Sequence, residues 1–125
     1  MDERTLAAAV AQKAGLAKEE AFDLARATLE ELGDQFSSGE IRRLTVALPE
    51  DLARHLRLHD HEARPMPLAE FVRLLHRRTG LKEDEVKRGV QAILATLGRS
   101  PDGADLQRAL NQLPIEYRQL ATTRA

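Results

Sequence analysis

An all-α fold is what the sequence predicts, and three observations predict it. Helix-forming residues dominate the 125-residue chain, aromatics make up only 3%, and β-branched residues are too scattered for an alternating run. Apolar residues recur instead at steps of three and four, and Gly or Pro closes each such segment. The chain also repeats itself: a shift of 65 positions lays Gly15-Leu16 on Gly80-Leu81, Leu29 on Leu94, Leu32-Gly33 on Leu97-Gly98 and Leu48-Pro49 on Leu113-Pro114, without a gap. The expected architecture is a helical bundle of two tandem pseudo-repeats, each of three helices plus a short fourth. It forms a single domain over 1–125, with repeat one at 1–56, a linker at 57–67 and repeat two at 68–125. Two copies are too few for a solenoid, and each is small for a core of its own, so one bundle is expected.

The elements follow in order. A first helix runs from about Asp2 to Ala14, with Leu6, Ala9, Val10 and Ala14 on one stripe and Gly15 as its left-handed stop. A second runs from about Ala17 to Leu32, burying Ala21, Leu24, Ala25, Thr28, Leu29 and Leu32, with Gly33 ending it. Ser37 and Glu40 form a capping box for the third, and Phe36 and Ile41 sit at its hydrophobic-staple positions. That helix carries Ile41, Leu44 and Leu48 inward and ends at Leu48, because Pro49 pushes the residue before it out of helical geometry. Pro49 opens a short fourth helix at its first turn, with Glu50 and Asp51 favourable there and Leu52 and Leu56 facing in.

The second copy follows the same plan with bulkier residues. Its first helix begins after Pro67, faces Leu68, Phe71, Leu74 and Leu75 inward, and stops at Gly80; the next, about Lys82 to Leu97, buries Val86, Val90, Ile93, Leu94 and Leu97. Asp102 caps a third that carries Leu106, Leu110 and Leu113, and Pro114 opens a last one with Tyr117 and Leu120. Between the copies, RLHDHEARPMP is polar and closed by prolines, as a linker should be.

The segments AGLAKEEAFDLARATLEELGDQFSSGEIRRLTVALPEDL and GLKEDEVKRGVQAILATLGRSPDGADLQRALNQLPIEYRQL resemble a bacterial family catalogued as domain of unknown function 2267. The resemblance covers nearly the whole chain and rests on Gly15-Leu16, Ala21, Ala27-Thr28-Leu29, Leu32, Ser38-Gly39-Glu40, Leu48-Pro49, Gly80-Leu81, Leu113-Pro114 and Tyr117. It implies a small all-α bacterial protein, and it brings no activity, cofactor or catalytic residue with it. One departure is Gly103-Ala104-Asp105 where the first copy has Ser38-Gly39-Glu40, which weakens the second capping box.

Composition removes several chemistries. With no cysteine, the chain has no disulfide, zinc-thiolate site or thiol nucleophile, and the composition fits a cytoplasmic protein. The opening MDERTLAAAVAQK is neither a signal peptide nor a membrane span. Net charge is −1, but residues 1–56 carry 11 acids and 7 bases whereas residues 67–125 carry 7 acids and 10 bases. Halves of −4 and +3 can attract one another within a molecule or between molecules.

Three constellations could carry function. His55, His59, Asp60, His61 and Glu62 hold imidazoles and carboxylates that could bind zinc or nickel, with His55, His59 and His61 the candidate ligands. They stand in the polar linker next to prolines, where exposed histidines without a shared metal are expected. Arg73, His76, Arg77 and Arg78, followed by Lys82, Lys87 and Arg88, make a basic stripe opposite Phe71, Leu74 and Leu75, whereas the first copy has Ala8, Ala11, Gln12 and Asp23 at positions matching Arg73, His76, Arg77 and Arg88. Phe22 lies about 75° off the centre of its helix's apolar stripe, and Lys87 stands at the matching position. Phe22 and Asp23 of one copy could therefore contact Lys87 and Arg88 of another.

Catalytic residues and a cofactor are not expected. Ser37 and Ser38 are accounted for by capping, Ser100 by a turn, and Thr122 and Thr123 by the chain's tail, while the paired acids Glu19-Glu20, Glu30-Glu31 and Glu83-Asp84-Glu85 suit helix starts or exposed faces. No glycine-rich phosphate loop or metalloprotease motif is present. The expectation is a non-catalytic, cytoplasmic module acting through a protein partner or through self-association, with no membrane contact. A nucleic-acid-associated regulator using the basic stripe is the alternative, disfavoured by a pI near 6.4 and the opposing acidic half, and a metal-binding protein is third.

Overall fold

The computed structural model describes residues 1–99 and 103–122. Among the described residues there are eight helices and no strand: α1 (Glu3–Ala14), α2 (Lys18–Gln35), α3 (Ser38–Ala47), α4 (Glu50–Ala53), α5 (Leu68–Thr79), α6 (Glu83–Gly98), α7 (Gly103–Leu110) and α8 (Ile115–Thr122). The fold is all-α. Each helix of the second half begins 65 residues after its counterpart, Leu68 after Glu3, Glu83 after Lys18, Gly103 after Ser38 and Ile115 after Glu50. Ser100, the expected cap Asp102 and Thr123 lie outside the described residues.

Several helix ends form as the sequence dictates. Asp2 Oδ1 accepts from the Thr5 N–H at 2.8 Å to start α1, and Gly15 and Gly80 close α1 and α5 with φ of 69° and 76°. That left-handed conformation costs glycine least. Leu48 takes ψ of 154° before Pro49, which ends α3. Pro49 itself has ψ of 144° and stands just before α4 rather than within its first turn.

Other ends differ from expectation, each for a reason the local cap signal does not carry. Gly33 does not stop α2, which runs on to Gln35, because donors from the linker reach its last carbonyls. His59 Nε2 lies 3.0 Å from the carbonyl oxygens of both Gly33 and Phe36, and the Arg64 N–H donates to Asp34 O at 3.2 Å. Ser37 Oγ accepts from the Glu40 N–H at 3.2 Å, but the reciprocal half of the expected capping box is not what Glu40 makes. Its fully buried carboxylate meets Arg43 at 2.6 Å and Gln112 at 3.2 Å. A guanidinium offsets the burial of a charge better than one backbone N–H does.

One hydrophobic core runs through both halves, with Leu6, Leu24, Leu29, Phe36, Phe71, Ile93 and Tyr117 at its centre. α1 packs against α2 and also against α6; α5 packs against α6 and also against α2; α3 meets α7. Because α1 lies against two helices at once, Ala7 is buried where Ala9 was expected, and on α5 Val72 is buried while Leu74 is only half-buried.

Ion pairs cross the same boundaries. Arg78 of α5 donates to Glu30 at 2.7 Å and Glu31 at 2.9 Å of α2, so the positive and negative halves attract within one molecule. Glu3 is buried among Arg26, Arg54 and His55, each 3.2 Å away. Burial alone would raise its carboxyl, but hydrogen bonds from Arg26 and His55 outweigh that and hold it below its ordinary value. Among the described residues, no helix is long and apolar enough to cross a membrane.

Candidate functional site

A groove of about 710 Å³ opens between α6, α7 and α8. Its floor is apolar, made by Ala92, Leu94 and Ala95 of α6, Leu106 and Leu110 of α7, and Ala121 of α8. Four cations, Lys13, Arg88, Arg99 and Arg118, line it with the amides Gln91, Gln107 and Asn111, and no described acid does. Arg88 is paired with Asp84 one turn away at 3.1 Å, whereas Lys13, Arg99 and Arg118 have no ion pair among the described residues. Local structure accounts for some of this charge: Lys13 sits in the last turn of α1 and Arg99 at the C-cap of α6, where cations suit the helix dipole. The dipole does not account for Arg118 or for the missing acids.

The basic stripe expected on α5 is interrupted. Arg73 and Arg77 are exposed, but Arg78 is taken up by Glu30 and Glu31. The His76 ring, half-buried, turns back to hydrogen-bond the Leu81 carbonyl oxygen. Lys87 is exposed on α6 beside Arg88, so of the residues singled out from sequence for interaction, Arg88 alone lines the groove.

The three histidines are not exposed as expected, and they do not form one cluster. His55 lies against Glu3 with its side chain 11% exposed, because the polar N-terminus of α1 needs partners where α4 crosses it. His59 caps α2, and His61 stacks on it with ring centroids 3.6 Å apart and planes 2° from parallel, its Nε2 3.4 Å from Asp34. Ligand atoms of Asp34, His59 and His61 fall within 4.8 Å of one another. Nitrogen lone pairs lie in the ring plane, however, and two parallel rings cannot aim theirs at one ion at the roughly 2.0–2.1 Å that zinc needs.

Phe22 is half-buried and packs against its own chain's core, while Asp23 beside it is exposed. The apolar stripe of α2 is therefore wider than the wheel implies, since α2 meets α1, α5 and α6.

Sequence reading passed over Lys13, Arg99, Arg118 and the alanines of α6. A signal was there: Arg88, Ala92, Ala95 and Arg99 recur at helical spacing, and the residues 65 positions earlier are Asp23, Ala27, Glu30 and Asp34. Three acids on one helix face are replaced by two arginines and an alanine. No curated protein matches the chain. Residues 3–120 match the family described as Uncharacterized conserved protein (DUF2267), and the chain belongs to that family.

Proposed function

We propose that this chain is a non-catalytic binding module that works by holding a protein partner in the α6–α7–α8 groove. The observation that carries the reading is the groove's composition, an apolar floor under four cations with no described acid. Apolar floors supply affinity when covered, and a rim of one sign selects the partner and speeds its approach. The described polar groups lining the groove are cations, amides and the Thr122 hydroxyl, and no described carboxylate or imidazole stands there to move a proton. Use of the stripe on α5 for nucleic acid is weaker, since Arg78 is already neutralised within the molecule. With no cysteine in the chain, the module is suited to a reducing cytoplasm.

The test is site-specific photocrosslinking in the cells that make the protein. A benzophenone side chain at Gln107, exposed on the groove wall, is expected to capture one protein, and the same group at Arg73 on α5 is not. Capture of nucleic acid from Arg73, or a small molecule that native mass spectrometry finds in the groove, would overturn the reading.

A further inference from the structure

The groove is the second-half counterpart of a seat that the chain fills for itself in the first half. By the 65-residue spacing of the helix starts, Gly98 corresponds to Gly33, Ala95 to Glu30, Arg99 to Asp34 and Arg88 to Asp23. At Gly33 the seat is taken. The backbone of Leu56 and Arg57 crosses so close that a Cβ on Gly33 would lie 3.6–3.8 Å from it. Arg57 pairs with Glu30 at 3.1 Å, His61 lies 3.4 Å from Asp34, and His59 reaches the Gly33 carbonyl. An acidic helix face is thus covered by irregular chain that brings basic groups to it.

In the second half the last helix is longer and the charges change. α4 is only four residues long, which lets the chain fold back over Gly33, whereas α8 is eight residues long and runs four residues past the point that matches the end of α4. At Gly98 a Cβ would meet only the Gln107 side chain, at 3.8 Å, among the described residues. The helix face has exchanged Asp23, Glu30 and Asp34 for Arg88, Ala95 and Arg99.

Resting on the docking reading above, we infer that the groove takes an acidic, non-helical segment of a partner protein, which crosses Gly98 as Leu56 and Arg57 cross Gly33. Its carboxylates meet Arg99 and Arg118, and one apolar side chain sits on Leu106 and Leu110. Two features decide for irregular chain over a helix. The chain's own example is irregular, and what it sets against Gly33 is backbone, Leu56 Cα and the Arg57 N and O atoms, rather than a row of side chains.

The probe is a fluorescent peptide copying residues 54–62 with glutamate in place of Arg54 and Arg57, beside a control that keeps both arginines. With the full-length protein, the acidic peptide is expected to shift the amide resonances of Gly98, Arg99 and Gln107 and to weaken about tenfold when salt is raised past physiological strength. Arg99→Glu is expected to abolish binding, and so is Gly98→Leu, whose Cβ would meet only the Gln107 side chain among the described residues, with the helical circular dichroism expected to stay unchanged. Equal binding of the control peptide, shifts mapping elsewhere, or no shift at about 1 mM peptide would overturn the inference. Tighter binding by an acidic peptide stapled as a helix would also overturn it. In each case continued crosslinking from Gln107 would leave the docking reading standing, and loss of that crosslink would remove both.

Discussion

The Tyr117 hydroxyl and the Gln35 amide nitrogen meet in the core at 3.1 Å, joining positions 82 residues apart. Tyr117 in turn donates to the Met66 carbonyl oxygen at 2.8 Å, and the Met66 N–H donates to Gln35 Oε1 at 3.0 Å. These three bonds close a ring that fastens the end of the linker to α2 and α8.

Burial pushes the Tyr117 hydroxyl up to about 12, over the lowering effect of the Gln35 bond. The group ionises near 10.0 when unfolded, so its contribution is complete below pH 10 and is lost as pH rises from 10 towards 12. As the chain's single tyrosine, with no tryptophan, it gives a clean absorbance titration: a native midpoint near 12 is expected, moving to about 10 in urea. Tyr117→Phe strands the Met66 carbonyl and the Gln35 amide and should cost about 1–3 kcal/mol in urea unfolding at pH 7. A native midpoint at 10 would mean that water reaches the hydroxyl.

Acid should act through Glu3 and Glu30. Burial would raise the Glu30 carboxyl, but its hydrogen bond from Arg78 and the charges of Arg78 and Arg57 hold it low, as Arg26 and His55 do for Glu3. A depressed carboxyl stabilises the fold above its unfolded value of 4.5, and that stabilisation is lost as pH falls through the lower native value. The urea midpoint is therefore expected to be level from pH 6 to 5 and to fall below about 4.5, with a shallower fall in Glu3→Gln. An acid limb unchanged by that substitution would contradict the assignment.

Two helical glycines should respond unequally to alanine. A Cβ on Gly103 would stand 2.0 Å from the Gly98 carbonyl oxygen, a backbone atom that cannot step aside, so a loss of about 2 kcal/mol or more is expected. On Gly89 the clash is with Leu24 Cδ2 at 2.1 Å, the tip of a side chain, and the helix gains about 1 kcal/mol from alanine. Urea midpoints should rank Gly103→Ala well below Gly89→Ala, and equal losses would refute the distinction.

His59→Ala should destabilise by about 1–3 kcal/mol, since it leaves the Gly33 and Phe36 carbonyls without their donor. Dialysed wild-type protein should hold no stoichiometric zinc or nickel by elemental analysis. Metal retained one to one, and lost in His59→Ala, would show that the stacked rings rearrange around an ion.

Phe22→Ala is expected to cost about 1–2 kcal/mol of unfolding free energy in urea, as removal of a half-buried aromatic should. Light scattering at low and high salt should give the same mass for wild type and Phe22→Lys. A mass that halves in Phe22→Lys with no loss of stability would place Phe22 in an interface between copies.

Much of the fold was legible because its signals are local. Gly15 and Gly80 need only their own backbone freedom to end a helix, and Leu48 is turned out by the proline next to it. Gly33 looked the same in sequence and behaves differently, because its donor, His59, is 26 residues away. Glu40 fitted a capping box locally and was drawn off by Arg43, three residues on, together with Gln112, 72 residues on. The close approach at Gly103 suits glycine where the first half has Ser38, since a side chain there would strike Gly98. The groove was half legible. Arg88, Ala95 and Arg99 against Asp23, Glu30 and Asp34 announce a changed face, but whether chain covers that face depends on the lengths of α4 and α8.

The crossed packing of α1 on α6 and α5 on α2 bears on how folding depends on concentration. Made as two separate polypeptides, the halves would each present a bare apolar face, and their assembly would be a second-order reaction that dilution reverses. Connected by residues 57–67, the same faces meet at the effective concentration set by a short tether, in the millimolar range. The covalent link thereby takes protein abundance out of the folding equilibrium.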